Sequence, residues 1–304
     1  MGEMKKYTDI VRLGHRITEG VLAEKDYVVV YEKLDGANAS FTLNLDTLEM
    51  EAFSRNRKLD AENNLRGFYE YTKEIDQDRL NRDYIYFGEW LVKHKVDYGV
   101  NKNEFYLFDI YDKHEGEYLS HVDVVAEAFR LNLTLAPILY AGKYRGFDHL
   151  QMLVGRSALA NEASGGEGVV VKNVSYRDKF GKQIFVKVVS DSFREMQPQK
   201  APRDPAKINA EQTFVRTFAT KGRIDKLLRK MIDEGVIEEK FDLSDMGVIL
   251  SHLGGRVYDD LMKEEFDSLP KDFEEKAVRK AIGKYVPVLV REIIEEETKR
   301  EAIN

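Results

Sequence analysis

The chain has 304 residues, 47 Lys and Arg against 54 Asp and Glu, a formal net charge of −7 and no cysteine. Disulfide frameworks, thiolate zinc sites, iron–sulfur clusters and a Cys nucleophile are excluded, and a nucleic-acid site must be a local basic patch on an acidic protein. No run of about eighteen apolar residues occurs and the start, MGEMKKYTDI, lacks the apolar core of a secretory signal, so a cytoplasmic protein without a membrane anchor is expected.

Taken in order, short β-branched and aromatic runs recur between turn signals: 27–34, 39–45, 83–91, 104–112, 168–174 and 183–190. Each reads as a strand. Ser120 to Leu131 carries Val124, Val125, Ala128 and Phe129 at helical spacing, and Leu150 to Asn161 looks similar. The first two thirds is therefore expected to be α+β with mostly antiparallel sheets. Pro198, Pro202 and Pro205, three of the six prolines, fall in one polar stretch, which puts a domain boundary after 204. Residues 205–304 read as an all-α domain: a helical segment ends at Gly235, and another closes at the Gly254-Gly255 pair.

Several charged residues lie inside strand-like runs. Lys33 ends the run YVVVYEK before a turn with Asp35, Gly36 and Asn38, and Ser54-Arg55-Asn56 follows EMEAF. Glu89, Asp109 after Phe108, Glu167, Lys172 and Lys187 sit in or beside later runs. Charges in strands are costly to bury unless paired or facing a polar cleft, so charges on several strands imply one shared cleft. No P-loop or GxGxxG stretch is present, so phosphate binding would fall to side chains. The six histidines form no metal-ligand pair, and His94 reads as a surface residue.

In this order the segments resemble the covalent nucleotidyltransferase superfamily of polynucleotide ligases and capping enzymes, with Lys33-Leu34-Asp35-Gly36 matching its Lys-x-Asp-Gly motif. The chain looks most like the RNA ligase 2 type, given the early lysine, the opening Lys6-Tyr7 and the helical tail in place of an OB barrel. The resemblance implies an N-terminal nucleotidyltransferase (ATP-grasp-like ligase) domain over 1–204. It also implies ATP as co-substrate, Mg²⁺ or Mn²⁺ as metal, and RNA ends, nicked or duplex-like, as partner of a monomer that repairs RNA. Lys33 would carry the adenylate. Glu32 would lie beside adenine, Arg55 near ribose and phosphates, Glu89 at the ribose hydroxyl, and Phe108 under the base. Glu167 would hold the metal, with Asp35 and Asn38 shaping the turn and Asp35 sharing that ion. Lys187 and Lys172 would neutralise the α-phosphate.

The chain departs from the family at Val189, where a second lysine is usual, and at Asp35, where some RNA ligases of this type carry His. Either Lys172, Lys182 or Arg194 replaces the missing cation or phosphate activation is weaker. DNA ligation, single-stranded RNA ligation and a catalytically silent binding module remain the alternatives. Arg216, Lys221, Arg223, Lys226, Arg229 and Lys230, with Asp225 as the only acid among them, are expected to grip RNA phosphates.

Overall fold

The structure is a computed structural model that describes residues 4–92, 94–161, 164–190, 210–269 and 272–301. The chain divides into two compact units, 1–192 and 193–304. The boundary expected after 204 lies, like this division, in the stretch 191–209, outside the described residues, as does Arg194.

The first unit holds two five-stranded sheets. One contains β1 (Ile10–Arg12), β2 (Tyr27–Lys33), β8 (Ile138–Lys143), β9 (Gly168–Asn173) and β10 (Phe185–Val189), in the order β1-β10-β9-β2-β8. The other contains β3 (Ala37–Leu43), β4 (Met50–Ser54), β5 (Tyr84–Trp90), β6 (Phe105–Asp112) and β7 (Glu117–Tyr118), in the order β4-β3-β5-β6-β7. All pairings are antiparallel except β1 with β10. The expected α+β class with antiparallel-rich sheets and a helical C-terminal region is what the fold shows.

Alternation along the strands separates two cores. Val28 and Val30 of β2, Val169 and Val171 of β9, and Val186 and Val188 of β10 pack with Leu150 and Leu153 of α3 (Phe147–Leu153). On the second sheet Ala39, Phe41, Tyr86, Phe105 and Ile110 pack with Phe68 of α1 (Phe68–Lys73) and with Val124 and Ala128 of α2 (His121–Leu131). Strand side chains alternate between faces, so the remaining positions line the opposite faces. Phe129, placed by spacing among the apolar helix positions, is 91% exposed. The helix expected over 150–161 ends at Leu153, because Gly155 takes a left-handed φ of 81° and Ser157 is drawn to Glu32.

The second unit is all helical: α4 (Ala210–Phe218), α5 (Lys221–Asp233), α6 (Met246–Glu264) and α7 (Glu275–Glu301). Thr220 caps α5 by accepting from the Arg223 amide, which breaks the expected single helix in two, and Gly235 follows α5 in the left-handed region. The Gly254-Gly255 pair does not end α6. Ile249, Leu253, Val257 and Leu261 form a fully buried stripe that carries the helix through it. Among the described residues no helix is long and apolar enough to cross a membrane.

Candidate active site

The Lys33-Leu34-Asp35-Gly36 segment is where the chain leaves one sheet and enters the other, since β2 and β3 belong to different sheets. Leu34 is buried, and five polar contacts fix the turn around it. The Asp35 amide donates to Tyr98 Oη at 2.7 Å, and the Gly36 amide donates to Glu89 Oε1 at 3.0 Å. Asp35 Oδ2 accepts the amides of Lys95 and Val96 at 2.8 and 2.9 Å, while Oδ1 lies 3.4 Å from His94 Nδ1. A Cβ on Gly36 would stand 2.5 Å from the Trp90 carbonyl oxygen, so no other residue fits this turn.

Lys33 pairs with Gly168 in the ladder, which brings its Nζ to 2.6 Å from Glu167 Oε2. Glu89, opposite Asn38 on the neighbouring strand, feels Lys33, His94 and Glu167 together. Burial raises its carboxyl to about pH 7, against the pull of Lys33 and the Gly36 amide. Burial also works against Asp35, yet the His94 hydrogen bond and charge, the Val96 amide and Lys33 hold it down at about 2. Cross-strand partners share a face, so Lys187, paired with Val170, which itself pairs with Tyr31, lies on the face that carries Lys33. Arg12 pairs with Lys187 and extends that basic row.

Phe108 sits at a β-bulge, where the pairing slips between Phe87 and Gly88, and is half-buried with its ring 4.8 Å from Tyr7. Bulges re-aim a side chain out of the regular ladder. Lys172 stands behind it, 7% exposed: its Nζ donates to the Phe108 carbonyl at 2.7 Å and to Asp109 Oδ2 at 2.8 Å, and lies 4.6 Å from the Tyr31 ring centre. Tyr7 Oη donates to the same Asp109 oxygen at 2.9 Å. Burial pushes Lys172 down and Asp109 up, each toward its neutral form. The pair joins the two sheets.

The expected residues are thus sorted by position. Lys33, Glu167, Glu89 and Asp35 lie together at the sheet crossing, Asn38 is the cross-strand partner of Glu89, and Lys187 shares the sheet face of Lys33. Arg55 follows β4 and bonds Asp9 at 2.9 Å. Glu32 does not share that face. Adjacent to Lys33 on one strand, it points to the opposite face, where its carboxylate accepts from Ser157 Oγ and from the Ala158 amide at 2.9 Å. Lys172, expected to neutralise the α-phosphate, is held in the buried pair with Asp109. Asp35, expected to share the metal, accepts two amides on Oδ2 and has His94 beside Oδ1. His94 is no surface residue: its side chain is 8% exposed, with Nε2 3.2 Å from Arg66. In the second unit Arg223 is fully buried between Asp260, at 3.0 Å, and Glu265, at 2.6 Å, so it cannot grip RNA. Lys221 pairs with Glu296, Arg229 bonds Asp225 at 3.1 Å, and Arg216 lies over the Tyr285 ring. Lys226 and Lys230 are half-buried on α5.

Sequence reasoning missed Tyr98, His94, Tyr7 and Arg12. Each reaches the site from far along the chain, and only the opening Lys6-Tyr7 pair gave a local sign.

A strand-end lysine against a carboxylate, at the crossing between two sheets, is the layout of the covalent nucleotidyltransferases. The sequence model of the RNA ligase family matches residues 26–189, more than half of the chain, and the chain belongs to that family. No curated protein matches it. Among solved structures it is similar to the Naegleria gruberi RNA ligase with pyrophosphate, at 23% identity and a TM-score of 0.47 over 63% of this chain and 57% of that one. An arginine mutant of that ligase with ATP and Mn gives 22% and 0.49 over 63% and 57%; an aspartate mutant, apo, gives 21% and 0.49 over 62% and 56%. The chain therefore spans under two thirds of the length of these neighbours.

Proposed function

We propose that this chain is an ATP-dependent RNA ligase that joins a 3′-hydroxyl to a 5′-phosphate through a lysyl-adenylate. The observation that carries the reading is Lys33, held at the strand end against Glu167 and beside the half-buried Glu89. The neutral Lys33 amine attacks the α-phosphorus of ATP; the bond to the β-phosphate oxygen breaks, pyrophosphate leaves, and the amine gives up a proton. An oxygen of the RNA 5′-phosphate then attacks the same phosphorus, and Lys33 departs with a proton regained. The 3′-hydroxyl finally attacks the 5′-phosphorus, its proton passing to solvent, and AMP leaves. Each displacement is in-line, so alignment and charge neutralisation are the protein's contribution.

The rigid turn supplies the alignment. Buried Leu34, the Asp35 amide on Tyr98 and the Gly36 amide on Glu89 hold the Lys33 backbone in place for attack. Glu89 stands where a ribose hydroxyl can donate to it, Phe108 offers a flat apolar face to the base, and Lys187 with Arg12 neutralises phosphate in place of the family's second lysine at 189. Among the described residues no group of three or more His, Asp or Glu is poised for a metal. Mg²⁺ or Mn²⁺ would be held by one or two carboxylates together with substrate phosphates. Glu167 is the carboxylate for that ion, which would neutralise phosphate charge when bound. An ion bound by Glu167 would compete with Lys33 for that carboxylate. The reading extends to a monomer that repairs nicked or duplex-like RNA in the cytoplasm.

The test is strand sealing. With ATP and Mg²⁺ the protein should join a nick in an RNA duplex and leave the same nick in DNA open; sealing of nicked DNA alone would refute the RNA assignment.

A further inference from the structure

From Lys276 to Arg291 the chain carries five cations, Lys276, Arg279, Lys280, Lys284 and Arg291, and no acid, in a protein whose net charge is −7. The whole stretch lies on α7. Lys276, Lys280, Lys284 and Arg291, spaced by four, four and seven residues, share one helix face and are all exposed. Among the described residues they make no hydrogen bond or ion pair. Arg279, off this face, is occupied: it bonds Glu275 at 2.8 Å and stacks 3.7 Å from the Tyr258 ring centre. The opposite face of α7 is buried through Val278, Ile282, Val286, Leu289 and Ile293, which fixes the outward direction of the basic row.

We infer that this row on α7 is the surface that holds the sugar–phosphate backbone of the RNA substrate. The inference rests on the ligase reading above for the nature of the ligand. At 1.5 Å per residue the row runs for about 22 Å, long enough to follow several phosphates. Its centre is low: Gly283 is exposed with open space where a Cβ would be, and Pro287 lies one turn on. A strand can therefore approach the helix closely between the lysines. The composition of the row argues for a polyanion over other occupants. Protein interfaces are depleted in lysine and rich in aromatics, and a membrane-lying helix needs a large apolar face beside its cations. Here Val288 is the single large apolar side chain exposed along the row. The basic row expected on α5 carries less of this duty, since Arg223 is buried and Lys221 and Arg229 are in ion pairs.

The test uses the full chain and a nicked RNA duplex without ATP, with affinity read by fluorescence anisotropy from about 50 to about 300 mM salt. The variant K276A/K280A/K284A/R291A should bind at least about tenfold more weakly, with the log–log salt slope reduced by about 3. K276R/K280R/K284R should keep wild-type affinity, and K280E/K284E, two exposed positions, gives an independent loss if the fourfold variant does not fold. Unchanged affinity and slope in both loss variants would overturn the inference. So would loss of binding to phosphatidylserine vesicles with RNA affinity intact. Adenylate formation on the wild type is scored separately: without it the ligase reading fails, while salt-dependent RNA binding lost in the variants still upholds this surface.

Discussion

Lys33 Nζ and Glu167 Oε2 lie 2.6 Å apart because Lys33 is the ladder partner of Gly168, the residue that follows the glutamate. The contact joins the proposed nucleophile to the carboxylate expected to take the metal. Gly168 belongs to the same device: a Cβ there would stand 2.2 Å from the Val188 carbonyl oxygen, which keeps β9 close to β10 and Lys187 near the pair.

The Lys172–Asp109 pair should behave as an inter-sheet strut. Lys172→Met leaves a buried carboxylate without its cation and should cost about 3–5 kcal/mol. Adding Asp109→Leu should restore more than half of it. Trp90, the only tryptophan, sits in β5, so its fluorescence during denaturation reports this unit alone. An unchanged midpoint in Lys172→Met would return the lysine to a phosphate-facing role.

Glu89 should make stability fall with rising pH. Its folded value of about 7 lies above its value of about 4.5 in the unfolded chain, so the folded form holds the proton more tightly. The contribution is present below about pH 4.5 and is lost as pH rises through about 7. Glu89→Gln should remove that slope and gain up to about 2 kcal/mol at pH 8 without ATP, with adenylation reduced. A variant whose pH profile matched the wild type would contradict the assignment.

Arg223→Ala should unfold the helical unit early, because Asp260 and Glu265 would lose a shared buried cation. A cost of about 3–5 kcal/mol is expected. Helical circular dichroism should then melt ahead of the Trp90 signal. Lost RNA affinity with an unaltered melt would point back to a surface role.

Arg12→Ala should slow adenylation about tenfold or more if Arg12 supplies the cation missing at Val189, which pairs with Gly168 on the face of Lys33. Val189→Lys in the same background should recover part of the rate. No change in Arg12→Ala would leave Lys187 as sufficient.

Much of the site was legible because its parts are local. The Lys33 turn, the aromatic strands and the order of charged residues can be read from short stretches. What short stretches do not carry is facing and distance. Glu32 and Lys33 are neighbours in sequence but point to opposite faces of one strand. Lys172 looked like another cleft cation because Asp109 is 63 residues away and nothing local marks their pairing. Arg223 did carry a warning, since it shares the spacing of Leu227 and Met231, the core stripe of α5. The acid-free stretch of α7 was equally visible in the sequence, but the mixed charges after Arg291 hid it.

The central claim is tested most directly by incubating the protein with Mg²⁺ and ATP labelled at the α-phosphate, beside Lys33→Ala, and following label on the denatured chain. Acid-labile label on the wild type, mapped to Lys33 and absent from the variant, is the predicted result. Label retained by Lys33→Ala, or none on the wild type even after pyrophosphate stripping, would contradict the account.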